Sequence, residues 1–403
     1  MKFIRILILP ALIALFAPSV LSAPAFSGKQ LAAWLKRFPK ADTDGDGKLS
    51  MAEAEAFRRE MTGDRKPNAQ RGQQGAPREF EINSGWEESS FPEHAVSYLS
   101  AEKIRELYAR QVGEQKAVVS YPKPTDGALR IVATGHSFMA PGFKTMPLIC
   151  AAAGISQPLY THTGGGMTGS ARYKWEEENG IFQFDGKPKP KLLASIANAE
   201  WDAMMWGPYF QDRPEFYACW IEFCLKYHPG MKFFLSDAWP QLYQLGEVPA
   251  SEDYFTEAVF DRMGSERTAG YKQLVTTLRE KHPDRVFIMP TSDAMVLAAK
   301  HFLRGDLPGV QGIHRIIGKK ERSLWRDHLG HLGPGFEWLE GYVFYATVYG
   351  RSPELIQGKI PELERSDFPG PELDRIFRRI AWQAVVNNPM SGVLDRNADG
   401  VRD

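Results

Sequence analysis

From Leu129 onward, short apolar runs alternate with longer stretches of helical period. The run Ile131-Val132-Ala133-Thr134 is β-branched, ends in Gly135-His136-Ser137, and is followed by helix-compatible sequence closing at Gly154. Further apolar runs predict strands at Pro158–Thr163, Trp201–Tyr209, Met231–Ala238 and Arg285–Thr291. Between them, helical spacing predicts helices near Phe143–Ala153, Leu192–Asn198, Glu215–Tyr227 and Ala269–Lys281. Such alternation predicts an α/β fold: a parallel sheet with helices on both faces. Two apolar helices are expected beyond it, Phe336–Tyr349 and Glu372–Val386, the second presenting Ile376, Phe377, Ile380, Trp382 and Val385.

Upstream of Leu129 the pattern changes. Leu31, Trp34, Leu35 and Phe38 fall at i, i+3, i+4 and i+7, one apolar face of a helix. The stretch from Gly63 to Pro77 is polar, rich in Gly, Pro and Gln, and without period, as a linker would be. Tyr98–Gln115 reads as an amphipathic helix with Leu99, Ile104, Leu107 and Tyr108 as core contacts. Residues 63–127 together form a linker and helical connector.

At the very start, Lys2 and Arg5 precede the apolar run Ile6–Phe16, and small residues follow at Ser22, Ala23 and Ala25. This is the pattern of a signal peptide over residues 1–23, with cleavage after Ala23 or Ala25, so the protein is expected to be exported to the periplasm or beyond. Pro10 and Pro18 interrupt the run, which argues against a retained anchor and for no stable membrane span after cleavage. Charge is balanced, 49 basic against 49 acidic residues, so no basic excess points to nucleic acid. The three cysteines do not make a disulfide framework and are read as buried thiols.

Asp42-Thr43-Asp44-Gly45-Asp46-Gly47-Lys48-Leu49-Ser50-Met51-Ala52-Glu53 carries oxygen donors at alternate positions and a glycine where the backbone must turn sharply. Asp42, Asp44 and Asp46 offer carboxylates, Lys48 a carbonyl, Ser50 a contact through water, and Glu53 both of its oxygens. Three aspartates on alternate residues crowd charge that a hard cation relieves. The stretch 27–62 resembles an EF-hand, which implies Ca2+; outside the cell a lone hand is expected to act as a stabilising clip. The last residues, from Asp395 through Asn397, Asp399 and Gly400, repeat the first half of that spacing and stop before a closing glutamate. They resemble the short calcium loops of dockerin or thrombospondin-type repeats, with an acidic tail as the alternative.

Three places at predicted strand ends carry candidate chemistry. Ser137 is a nucleophile held at a strand end, or else a cap for the following helix. The cluster Gly164-Gly165-Gly166 offers backbone N–H groups to an anion, without the spacing or the lysine of a nucleotide-binding loop. Arg326-Asp327-His328-Leu329-Gly330-His331 sets two histidines and an aspartate within a few residues. A histidine here, oriented by a carboxylate, suits a general base. Asp237 and Asp293 follow predicted strands, with Trp239 near the first; they read as caps or turn residues, with lining the pocket as the alternative.

The order of serine, glycine cluster and late Asp/His resembles the SGNH (GDSL-type) hydrolase family over roughly residues 128–352. The resemblance implies a flavodoxin-like three-layer α/β/α domain. Gly135-His136-Ser137 matches the family's first block with histidine for aspartate, which makes Ser137 the nucleophile. Gly165 or Gly166 matches the oxyanion glycine of the second block. Trp206-Gly207-Pro208-Tyr209 falls at the third block, keeping Gly207, which the resemblance makes an oxyanion residue, without the expected asparagine; Tyr209 or Gln211 are substitutes for that donor. His331 matches the base of the last block with Asp327 as its orienting acid, one residue further away than the family spacing. Residues 353–403 are read as a C-terminal helix and acidic tail.

The expectation is an exported carboxylesterase with a structural Ca2+ site, acting on a small-molecule or polysaccharide ester and needing no cofactor for the chemistry. Two alternatives stand beside it. One is a calcium-dependent binding or surface protein whose SGNH fold has lost catalysis. The other is a metal-dependent hydrolase using Asp327, His328 and His331. Oligomeric state is not legible.

Overall fold

A computed structural model describes residues 39–43, 45–50, 123–163, 199–207 and 214–403, with isolated positions at 35, 53, 183–184, 187–188 and 196. Outside these lie the expected signal peptide, most of the expected linker and connector, Asp44, Gly165, Gly166, Tyr209 and Gln211, as well as most of Leu192–Asn198. The chain divides into two units, Met1–Arg71 and Gly72–Asp403.

The larger unit is built on five parallel strands: β1 (Ile131–Gly135), β2 (Leu159–Thr163), β3 (Ala203–Trp206), β4 (Lys232–Ser236) and β5 (Val286–Met289). Their spatial order is β2-β1-β3-β4-β5, all neighbours parallel. That order reverses direction beside β1, the place where open α/β sheets bind ligands beyond their carboxyl ends.

Alternate side chains of each strand enter different cores, as the two-residue period of a pleated strand requires. Ile131, Ala133, Met205, Phe234 and Met289 pack into one apolar cluster. Val132, Met204, Trp206, Phe233 and Ile288 pack into the other. The first is closed by α1 (Ala140–Ala152), α4 (Thr291–Leu303), α5 (Phe336–Tyr349) and α6 (Pro371–Asn387). The second is closed by α2 (Pro214–Tyr227) and α3 (Glu257–Lys281). The larger unit is therefore an α/β domain with a parallel sheet between helices.

Strand edges are shorter than the apolar runs suggest. Thr291, read as strand, is the first residue of α4. A further parallel pair, β6 (Gly312–His314) and β7 (Ser323–Trp325), had no readable period because each strand has three residues. The helix at the C-terminus belongs to the same core: Phe377, Ile380 and Val385 of α6 sit in the cluster that holds α5.

Helix α5 is apolar around nearly its whole circumference and buried at Phe336 and from Trp338 to Val348. It lies so close to α1 that a Cβ on Gly142 would sit 2.4 Å from the Phe344 ring, and one on Gly341 would sit 2.2 Å from Thr145 Oγ1. Two bonds secure the first turns of α1: Gly142 N–H donates to Glu340 Oε2 at 2.7 Å, and Thr145 Oγ1 donates to the Glu337 carbonyl at 2.8 Å. This holds in place the helix that immediately follows Ser137. Among the described residues, no helix is long and apolar enough to cross a membrane.

Candidate active site

The backbone lifts Ser137 out of the core in a single step. Residues 131–136 are buried, whereas Ser137 is exposed. The His136 carbonyl accepts the N–H groups of Met139 and Ala140 at 2.9 and 3.0 Å, starting the turn into α1. The N-cap of that helix is Met139, with no side-chain capping bond, so Ser137 does not serve as its cap. Its hydroxyl lies 2.7 Å from His331 Nε2 instead. His136 is buried, and its Nδ1 accepts Phe138 N–H at 3.3 Å.

His331 stands on a closed loop between β7 and α5. Arg326 N–H donates to the His331 carbonyl at 2.9 Å, Gly333 N–H donates to the Leu324 carbonyl at 2.7 Å, and Trp325 and Leu332 form an antiparallel bridge. Within it, Asp327 Oδ1 accepts Leu329 N–H at 3.1 Å and His331 N–H at 3.2 Å, and the Asp327 carbonyl accepts Gly330 N–H at 2.9 Å. Gly330 takes φ +85°, a conformation that favours glycine and completes the turn. This curl brings the two side chains together across four residues: His331 Nδ1 reaches Asp327 Oδ2 at 2.7 Å and Oδ1 at 3.0 Å.

Serine, imidazole and carboxylate therefore form one relay at the carboxyl edge of β1. Partial burial alone would raise the Asp327 carboxyl, but the bonds from the His331 ring and backbone, the imidazole's charge and Arg326 hold it below its ordinary value. An ionised Asp327 accepts from Nδ1–H, which leaves Nε2 to accept the Ser137 hydroxyl proton. With both ring nitrogens so engaged, His331 has none free to ligate a metal alongside Asp327 and His328.

Gly207 differs from its expected role. Its N–H donates to the Thr134 carbonyl at 3.2 Å, extending the ladder between β1 and β3, and is not free to meet an oxyanion. Its lack of a side chain has a packing reason: a Cβ would stand 2.6 Å from Met139 Cγ. The remaining expected donors, Gly165, Gly166, Tyr209 and Gln211, lie outside the described residues.

Phe138 and Trp239 also belong to the site. The Phe138 ring stacks on the His331 imidazole, centroids 5.0 Å apart and planes 16° apart, and meets Trp239 edge-on at 5.2 Å. The buried Trp239 indole N–H donates to the Gly330 carbonyl at 2.5 Å. An aromatic residue directly after Gly-His-Ser was the available signal for Phe138. Trp239 was legible only as a residue near a strand end.

In the smaller unit, Asp42 Oδ1 accepts Gly45 N–H at 2.7 Å and its Oδ2 accepts Gly47 N–H at 2.9 Å, while Asp46 accepts Lys48 N–H at 2.7 Å. Gly45 and Gly47 take φ +72° and +75°. Glu53 accepts the N–H and hydroxyl of both Ser50 and Thr43. The backbone and hydroxyl of Ser50, followed by those of Thr43, hold its carboxyl down to about 2, so both oxygens stay anionic. Hard oxygen donors around a glycine turn suit Ca2+. Among the described residues no three of His, Cys, Asp and Glu are gathered as a metal site, and Asp44 lies outside them.

The C-terminal loop repeats part of that bonding. Asp395 Oδ2 accepts Gly400 N–H at 3.1 Å and Asp399 Oδ1 accepts Val401 N–H at 2.8 Å. Ser352 N–H donates to the Gly400 carbonyl at 2.7 Å, which ties this tail to the larger unit.

No protein-family model matches the sequence, and no curated protein matches it. Among solved structures, the chain is similar to a DUF4886 family protein from Bacteroides uniformis, with 12% identity and a TM-score of 0.46, over 64% of this chain and 95% of that one.

Proposed function

We propose that this chain is an exported serine hydrolase of the SGNH type, acting on carboxylic esters. The observation that carries the reading is the unbroken Ser137–His331–Asp327 relay. Ser137 Oγ attacks the ester carbonyl carbon as its proton passes to His331 Nε2, and Asp327 stabilises the imidazolium that forms. The imidazolium then protonates the departing alkoxide. Water, deprotonated by the same nitrogen, releases the acid and restores Ser137. The glycine cluster Gly164–Gly166 is the proposed source of oxyanion donors. Export points to an acetylated polysaccharide as the ester.

We assign Ca2+ to the EF-hand loop, held by Asp42, Asp44, Asp46, the Lys48 carbonyl and Glu53, with the ion serving stability and not the chemistry. Terbium luminescence or calorimetric titration is expected to show one site that Glu53→Gln weakens by at least tenfold. No binding by the wild type overturns the assignment.

The decisive test of the hydrolase is aryl acetate turnover and labelling by a serine-directed phosphonate, wild type against Ser137→Ala. Loss of both in the variant is the expected result. Equal background rates in two folded proteins overturn it. They would favour a binding protein on an inactive SGNH fold, a reading supported by the missing third-block asparagine and the engaged Gly207 N–H.

A further inference from the structure

The two hydrogen bonds of His331 leave one motion unconstrained. Ser137 Oγ on Nε2 and Asp327 on Nδ1 fix where the imidazole points, but a ring can still roll about the line joining its two partners. Rolling keeps both N···O distances but turns the imidazole plane away from the Asp327 carboxylate plane and from the Ser137 Cβ–Oγ bond, and small errors of orientation are costly in catalysis. A flat surface against one face of the ring stops the roll. Phe138 supplies it, at 5.0 Å and 16° from parallel.

Phe138 is itself fixed from two sides. Trp239 meets it edge-on at 5.2 Å and 62°, and His136 does so at 5.2 Å and 89°. Trp239 is fully buried, and its indole N–H bond reaches Gly330, the residue before His331. The indole thus braces both the ring that stacks on the base and the backbone that carries the base. The strand ends of β1 and β4 meet the catalytic loop at this one aromatic contact.

We infer that Phe138, braced by Trp239, is a positioning residue for the catalytic base: it sets the plane of the His331 imidazole and favours its charged form during attack. The inference rests on the serine-hydrolase reading and deepens it. An aromatic face attracts a cation by its quadrupole, so the stack is worth more when His331 is protonated than when it is neutral. That difference is one of transition state against ground state, and it belongs in kcat and not in KM.

The test compares Phe138→Leu, Phe138→Tyr and Trp239→Phe with the wild type, using aryl acetate kinetics, melting temperature and proton NMR of the His331 ring. In the wild type, His331 ring protons over the Phe138 face are expected to be shifted upfield by its ring current. Phe138→Leu is expected to lower kcat about tenfold with KM within about twofold, a size set by the loss of orientation, and to abolish that upfield shift. Phe138→Tyr keeps the stack and restores kcat. Trp239→Phe keeps an aromatic edge but loses the bond to Gly330, and is expected to fall between them.

An unchanged kcat in folded Phe138→Leu overturns the inference. So does equal impairment of the Leu and Tyr variants, because bulk and not stacking would then be the requirement. If Phe138→Leu does not fold, absence of the ring-current shift in the wild type overturns it and its presence supports it. A wild type inert to both aryl acetate and phosphonate sinks the hydrolase reading itself, while the NMR result still judges the stack.

Discussion

Asp327 and Asp237 both follow strands toward the same edge of the molecule, but their surroundings leave the two carboxyl groups in opposite states. Asp327 is half-buried beside a histidine, two backbone N–H groups and an arginine, and these hold it ionised. Asp237 is fully buried after β4. Its Oδ1 accepts Thr291 Oγ1 at 3.1 Å and Ser292 N–H at 2.9 Å, and among the described residues its Oδ2 has no partner. Burial, and then the neighbouring Asp293 carboxylate, push Asp237 well above the usual carboxylate range, despite those bonds and the more distant Arg267 charge. Burial raises Asp293 too, against its bonds from Asn388 and Thr268. Both carboxyls lie beyond strand ends, so position alone does not make a group functional. The donors gathered round it decide whether it carries charge to a reacting atom or stays neutral as a cap.

The sharpest way to break this contrast is Asp327→Asn. The amide oxygen stays with the Leu329 and His331 N–H groups, which turns the NH2 toward Nδ1 and favours the wrong tautomer, and the loss of charge leaves the imidazolium unsupported. The expected fall in kcat is on the order of 10³-fold or more, with melting temperature little changed. An Asp327→Asn variant that keeps near-wild-type turnover would show that His331 works without this carboxylate. Asp237→Asn, by contrast, is expected to keep turnover.

Gly207→Ala tests the packing role of this glycine beside the nucleophile turn. Its Cβ would meet Met139 Cγ at 2.6 Å, so that flexible side chain must move. The expected cost is about 1–3 kcal/mol of stability, read by denaturant titration, with turnover changed only severalfold. A fall of about 10²–10³ in rate without loss of stability would instead mean that the displaced Met139 side chain disturbs the turn that carries Ser137, since alanine keeps the same backbone N–H.

The sequence was most readable where local pattern and tertiary role coincide. The β-branched run ending in Gly135-His136-Ser137 announced both an interior strand and the exposed serine at its end, and the Asp/His loop announced the groups that serine meets. Asp237 was also legible as a cap, since it accepts the Ser292 N–H at the start of α4. That it lies fully buried was not legible, because burial is set by α3 and α4 packing over it from distant sequence. Helix α4 itself was hidden by Thr291, whose branched side chain suits the strand before it. Strands β6 and β7, which lead into the Asp327–His331 loop, are too short for any period. The relay's Asp–His spacing looked irregular in sequence because Gly330 curls the loop in a way that only backbone geometry reveals.

The pH dependence of stability tests the buried half of the comparison. A carboxyl raised by folding contributes stability below its unfolded value, near 4, and loses it as pH rises through the higher folded value. Asp237→Asn removes that loss. The variant is therefore expected to gain on the wild type in denaturant titrations as pH climbs from 4 to 8. A wild-type curve parallel to that of Asp237→Asn would mean that Asp237 ionises in the fold at no cost.

The smallest effect is expected from Asp327 in the same experiment, with the sign reversed. Its carboxyl is lowered by folding, so its contribution is present above the ordinary carboxylate value and fades as pH falls through the folded one. The side chain is 37% exposed, so solvent screening holds the effect below about 1 kcal/mol. Wild type should exceed Asp327→Asn slightly at pH 7, with the gap closing below about pH 4. A gap that widens on acidification would mean that Asp327, like Asp237, is held protonated, and the relay would then lack the anion it needs to support His331.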